Sequence, residues 1–98
     1  MKLQMQSIHF DADKRLLSFI QKKFDKLDTF HDKIIDGEVF LKVENEEKEN
    51  KHVHVKLNLP GITVIAKESG TTFEEATDIA YESLKRQLKK QKEKMATY

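Results

Sequence analysis

Cysteine is absent from this chain, which excludes disulfides, thiol nucleophiles and thiolate metal sites and agrees with a reducing compartment. Long apolar runs are absent too. The first residues, Met1-Lys2-Leu3-Gln4-Met5-Gln6-Ser7, alternate apolar and polar, so they make neither a signal peptide nor a membrane span, and a cytoplasmic location is expected. An excess of one charge sign is also missing. Charged residues are 36% of the chain, yet the formal net charge is +1, so net charge alone gives no licence to invoke nucleic acid. There is no internal repeat, no linker, no Walker, Rossmann or zinc-hydrolase pattern, and no arginine-rich tract, zinc finger or aromatic ribonucleoprotein motif.

What is present is a regular alternation of short periodic segments. The 98 residues are expected to form one domain, 1–98, with one core and little room for a deep pocket; a chain of this size buries roughly 60–70% of its extended surface. Residues 3–8 read as a first strand. Asp13 is placed to accept the free amides of a first helical turn. Leu16, Leu17, Ile20, Phe24 and Leu27 then recur at helical spacing through about residue 28, and residues 29–33 connect onward.

From 34 to 44 the period becomes two: Ile35, Val39, Leu41 and Val43 point one way, and Asp36, Glu38, Lys42 and Glu44 the other. After a polar hairpin loop, Asn45 to Asn50, alternation resumes with Val53, Val55, Leu57 and Leu59 against His52, His54, Lys56 and Asn58. The single proline, in Pro60-Gly61, signals a turn, and residues 62–67 read as a fourth strand. Thr72 and Glu75 make a T-x-x-E capping box before a helix striped by Phe73, Ala76, Thr77, Ala80, Tyr81, Leu84 and Leu88 and running to about residue 94. The fold class is therefore α+β, β-α-β-β-β-α, a two-layer sandwich whose four-stranded sheet carries both helices on one face.

The charges that cancel overall are segregated locally. On a helical wheel of about 100° per residue, Arg15, Lys22 and Lys26 form one row of the first helix with Lys23 at its edge, while Ser18, Gln21, Asp25 and Asp28 form the other flank. The last helix is polarised along its length: Glu74, Glu75, Asp78 and Glu82 come first, then Lys85, Arg86, Lys89, Lys90, Lys92 and Lys94, opposed by Glu93. The helix dipole favours such an arrangement, but it acts within one terminal turn, and the basic run covers more than two. Lysines at i and i+4 lie about 6 Å apart, close to the repeat of a nucleic-acid backbone. Two antiparallel or crossing helices with neighbouring basic flanks are expected to present a broad electropositive surface, and the dominance of lysine over arginine points to backbone contact more than base reading.

At this level the residues match something specific. Phe19-Ile20-Gln21-Lys22-Lys23-Phe24-Asp25-Lys26-Leu27 resembles the first-helix signature of the ribosome hibernation-promoting and ribosome-associated inhibitor family, also called sigma-54 modulation proteins. Ala76-Thr77-Asp78-Ile79-Ala80 followed by Leu84-Lys85-Arg86-Gln87-Leu88 resembles its second helix, and Gly70 and the spacing of all six elements agree. The resemblance covers essentially the whole chain and implies a fold like the double-stranded-RNA-binding domain. It implies a non-enzymatic translation inhibitor that occupies the decoding region of the small ribosomal subunit in stress or stationary phase. The rRNA-facing positions it implies are Lys22, Lys23, Lys26, Lys85, Arg86, Lys89, Lys90 and Lys92. Ile8 departs from the family, standing where relatives often carry a basic residue. The sequence ends at Tyr98 with neither an acidic tail nor an added C-terminal domain, so pairing of ribosomes is expected to need a second factor.

Competing readings of single residues are weaker. His52 and His54 have a spacing that can bind metal, but no third ligand is near in sequence, so they read as strand residues facing solvent or RNA. No catalytic constellation, cofactor, metal or small-molecule substrate is expected; Ser69, Thr71 and Thr72 read as turn and cap residues. The acidic stretch Glu44 to Glu49 reads as a solvated hairpin tip, with orientation of RNA docking by repulsion as its functional alternative. Phe40, Ile65 and Ile34 are candidates for a small apolar patch and dimer contact on the outer sheet face. The alternatives to ribosome binding are a protein–protein regulator of a transcription (sigma) factor and a general structured-RNA-binding protein.

Overall fold

The computed structural model describes residues 1–44 and 48–96, without the side chains of 95 and 96; residues 45–47 of the acidic hairpin tip and Tyr98 therefore lie outside the described residues. The elements are β1 (Leu3–Ile8), α1 (Lys14–Asp25), a 3-10 turn (Lys26–Thr29), β2 (Asp36–Val43), β3 (Lys51–Leu59), β4 (Ile62–Gly70) and α2 (Phe73–Ala96). The strands form one sheet in the order β1-β2-β3-β4. β1 runs parallel to β2, with α1 as the crossover, while β2, β3 and β4 form the antiparallel meander.

Local chemistry sets the element ends as the sequence predicts. Asp13 Oδ1 accepts the Leu16 amide at 2.9 Å at the start of α1, satisfying one of the free first-turn donors. Thr72 Oγ1 accepts the Glu75 amide at 3.0 Å at the start of α2. The reciprocal half of the box differs: the Glu75 carboxylate accepts from the Thr71 hydroxyl at 2.9 Å. Gly61 turns β3 into β4 at φ 76, a left-handed conformation that costs glycine nothing. In β2, Gly37 lets Leu57 and Leu3 pack close, since a Cβ there would lie 2.6 Å from Leu57 Cδ2 and 2.7 Å from Leu3 Cδ2 and those side chains would have to shift.

The period-two and helical stripes converge on one core. Val39 and Leu41 from β2, Val53, Val55, Leu57 and Leu59 from β3, Val64 and Ala66 from β4, Ile20 and Phe24 from α1 and the whole predicted stripe of α2 are buried together. Ile35 departs from the expected inward set. It precedes β2 and is 60% exposed, because the parity of the strand continues to it but the sheet does not. β4 extends three residues beyond the predicted end, to Gly70. On the opposite face His54, Lys56, Ile65 and Lys67 are exposed, so the helices cover one side only.

Candidate nucleic-acid interface

The helices run in the same direction rather than antiparallel, and this decides where the charges meet. Near the start of α1, Arg15, Leu16 and Phe19 share a surface hollow with Glu74 of α2. About one turn beyond Phe19, Lys23 Nζ lies 3.2 Å from Asp78 Oδ1 and 4.8 Å from the centre of the Tyr81 ring. Beyond the 3-10 turn, Phe30 lies beneath Lys85 and Lys89, whose Nζ atoms are 5.0 and 5.2 Å from its ring centre. Advancing along α1 thus means advancing along α2. The acidic first half of α2 lies beside the start of α1, and its basic second half beside the end of α1. Charges separated along one sequence become charges separated along the whole helical layer.

Each predicted basic residue has a definite place in that layer. Lys22 and Lys26 are exposed at the C-terminal end of α1 and in the 3-10 turn. Lys23 is half-buried, and Asp78 and Tyr81 already hold its ammonium. Lys85, Lys89 and Lys92 follow one another at i, i+4 and i+7, a spacing that keeps them on one side of a helix, and the first two reach Phe30. Arg86 and Lys90 are exposed, and their own i, i+4 row is rotated by about 100° from the Phe30 side. The fold therefore gathers Lys85, Lys89 and Lys92 with the end of α1 and leaves Arg86 and Lys90 facing outward from it.

The less basic flank of α1 has a different task. The Met1 ammonium is 2.9 Å from Asp25 Oδ1 and 2.8 Å from Asp28 Oδ2, and Gln21 Nε2 donates to both Met1 O and Asp25 Oδ1. Hydrogen bonds to Asp28 and Asp25 raise the affinity of this ammonium for its proton. Burial acts to raise the Asp25 carboxyl, but its hydrogen bonds from the amino terminus and Gln21 together outweigh burial and hold it below its ordinary range. These acids tie the start of β1 to α1, while the basic flank faces α2.

Phe30, in the connection from the 3-10 turn to β2, is the aromatic centre of the basic end. A hollow of about 290 Å³ opens beside it, lined by Phe30, Lys89, Lys92 and Glu93. Its sequence neighbour His31 is buried; its Nδ1 accepts the Lys33 amide at 3.0 Å, and its Nε2 has no partner among the described residues. Burial holds the imidazole below its ordinary titration range, with Lys92 and Lys33 adding to the shift and Asp32 opposing it. No periodicity marks this site in the sequence, because Phe30 lies in the connection after the 3-10 turn and three strands separate it from the basic half of α2.

The remaining candidates fall elsewhere. His52 and His54 lie on the outer face of β3, with His52 Nε2 3.7 Å from Glu44 Oε2; among the described residues no cluster of three or more His, Cys, Asp or Glu is arranged to hold a metal. Phe40 and Ile65 share an outer-face hollow of about 190 Å³ with His54, Lys56 and Lys67. Ile34 does not join them, because it packs against the core on the other side. No helix among the described residues is long and apolar enough to cross a membrane.

Residues 3–96 match the family described as sigma 54 modulation protein / S30EA ribosomal protein, a family of non-enzymatic ribosome hibernation and modulation factors. The chain is 31% identical over 94 residues to the ribosome hibernation promoting factor of Pseudomonas putida, covering 96% of this chain and 89% of the relative. It is 32% identical over 90 residues to the ribosome hibernation promotion factor of Deinococcus radiodurans, where it covers 89% of its own length and 47% of that protein, so it spans about half of that longer relative. Among solved structures, a ribosomal subunit interface protein from Coxiella burnetii superposes with a TM-score of 0.84 at 25% identity, covering 94% of this chain and 98% of the other. The N-terminal domain of Thermus thermophilus Protein Y shares the fold with a TM-score of 0.81 at 21% identity, over 92% and 98% of the two chains. With a family match across nearly its whole length and the β-α-β-β-β-α sheet and paired helices in place, this chain belongs to the sigma 54 modulation protein / S30EA ribosomal protein family.

Proposed function

We propose that the protein is a translation inhibitor that binds small-subunit rRNA at the decoding region and sterically excludes messenger and transfer RNA when growth stops. It acts in the cytoplasm by occupying its site, without catalysis, cofactor or small-molecule substrate. The observation that carries this reading is the concentration of Lys22, Lys26, Lys85, Lys89 and Lys92 at one end of two helices that run the same way, with Arg86 and Lys90 beside them. A surface built mainly of lysine ammoniums fits phosphate oxygens along an RNA backbone better than base edges, and the names of the relatives point to the ribosome as the source of that RNA.

The test is co-sedimentation with purified small subunits, large subunits and intact ribosomes across a salt series. Saturable binding to small subunits and intact ribosomes, weakening steeply with salt as phosphate contacts release counterions, is the expected result. Excess duplex RNA should fail to displace it; displacement would mean a general RNA binder. A second reading, regulation of a protein partner such as a sigma factor, draws on the Phe40–Ile65 hollow of the outer sheet face. It predicts binding that survives high salt and is lost with Phe40→Ser.

A further inference from the structure

The Phe30 site goes further than a charged surface requires, and its meaning rests on the RNA reading above. Phosphate binding alone needs ammoniums and nothing else. Here two ammoniums lie about 5 Å from the centre of a half-buried phenyl ring, 5.0 Å for Lys85 and 5.2 Å for Lys89, and the adjoining hollow of about 290 Å³ is lined by that ring, Lys89, Lys92 and Glu93. Ammonium groups keep contact with water, so their position over the ring marks a π-face open to the surface. An accessible aromatic face rimmed by cations is the combination with which proteins hold single-stranded nucleic acid: a base stacks on the ring while flanking phosphates take the charges. Paired bases inside a duplex present edges, not faces, so the ligand this site fits is an unpaired nucleotide.

We propose that Phe30 is a stacking platform for one unpaired nucleobase of the bound RNA, with Lys85, Lys89 and Lys92 holding the phosphates on either side of that nucleotide. The incoming base displaces an ammonium from the ring face, and the freed lysine reaches the phosphate of the same strand. Glu93 at the rim repels phosphate and accepts hydrogen from an exocyclic amino group, so the base, not the backbone, occupies the hollow. The site gives the protein a preference for looped or bulged RNA that the lysines by themselves lack.

Three variants of the full chain test this, each first shown to be folded under the assay conditions. Phe30→Leu keeps an apolar side chain against the core but has no π-face; it should weaken binding to small subunits about tenfold or more while leaving the slope of log affinity against log salt unchanged. Lys89→Gln should instead reduce that slope by about one. Since the chain has no tryptophan, Phe30→Trp places a single indole at the site. Its fluorescence should be quenched by a single-stranded RNA dodecamer and not by a duplex of equal length. Wild-type affinity in Phe30→Leu, a loss accompanied by an equal fall in salt slope, or equal quenching by duplex would each overturn the stacking site. If the wild-type chain fails to bind small subunits, the ribosomal reading fails, and the fluorescence experiment still decides the stacking site by itself.

Discussion

Lys23 Nζ lies 3.2 Å from Asp78 Oδ1 and joins the basic flank of α1 to the acidic half of α2. Asp78 is 56% exposed at its side chain and Lys23 25%, so this is a surface pair contributing about 0–1 kcal/mol to stability. Its larger effect is electrostatic: it commits one cation of the basic row to a neighbour. Asp78→Asn should therefore leave the melting temperature nearly unchanged and tighten binding to small subunits at low salt, with a slightly steeper salt dependence. Weaker binding in this variant would mean that Asp78 positions Lys23 for its RNA contact.

The row formed by Lys85, Lys89 and Lys92 should dominate affinity because it adjoins the end of α1. Replacing all three with Glu should abolish co-sedimentation with small subunits. Two of these residues also rest on Phe30, and exposed cation–π contacts contribute about 0.5–1 kcal/mol each, so a stability loss of about 1–2 kcal/mol should accompany it. The paired replacement of Arg86 and Lys90, which make no contact with the aromatic centre, should reduce binding less. Unaffected binding in the triple variant would overturn the basic-surface reading.

Thr77 is fully buried in the α2 stripe, and its hydroxyl has no hydrogen-bond partner among the described residues. A buried hydroxyl without a partner costs about 1–3 kcal/mol relative to an apolar group. Thr77→Val preserves the shape of the side chain and should stabilise the protein by about 1 kcal/mol in urea denaturation, with ribosome binding unchanged. A destabilised valine variant would show that the hydroxyl makes a contact in solution.

Stability should fall as pH drops through the histidine range. His31 is held below its ordinary value of 6.5, chiefly by burial, so the unfolded chain takes up its proton first. The stability this neutral histidine secures is complete above about pH 6.5 and is lost as pH falls below it toward the folded-state value. His54 shifts the same way, through partial desolvation by its sheet neighbours with Lys67 adding to it, but its surface stays largely open to solvent and it should contribute less. Urea midpoints measured at pH 7.5 and 5.5 should differ in the wild type and differ less in His31→Gln. An undiminished difference in that variant would remove His31 as the source.

Much of the fold was legible because its signals are local. The stripes of α1 and α2, the Asp13 and Thr72 caps and the alternation of β3 depend on neighbours three, four or two residues away, and each recurs in the structure. Ile35 shows where local parity stops being informative, since a period of two continues past the end of a strand whether or not the sheet does. The basic residues were likewise legible as residues, but not as a site.

What the sequence by itself determined was the order of elements, their inward faces and the segregation of charge along α2, because periodicity and capping are properties of adjacent residues. What only the tertiary structure decided was that β1 pairs parallel to β2 and that α1 and α2 run the same way. Those two facts bring Lys85 and Lys89 onto Phe30, more than fifty residues away in the chain, and put Lys23 against Asp78. The physical reason is that direction and adjacency come from burying both helix stripes on one face of a single sheet, a condition no short stretch of sequence carries alone.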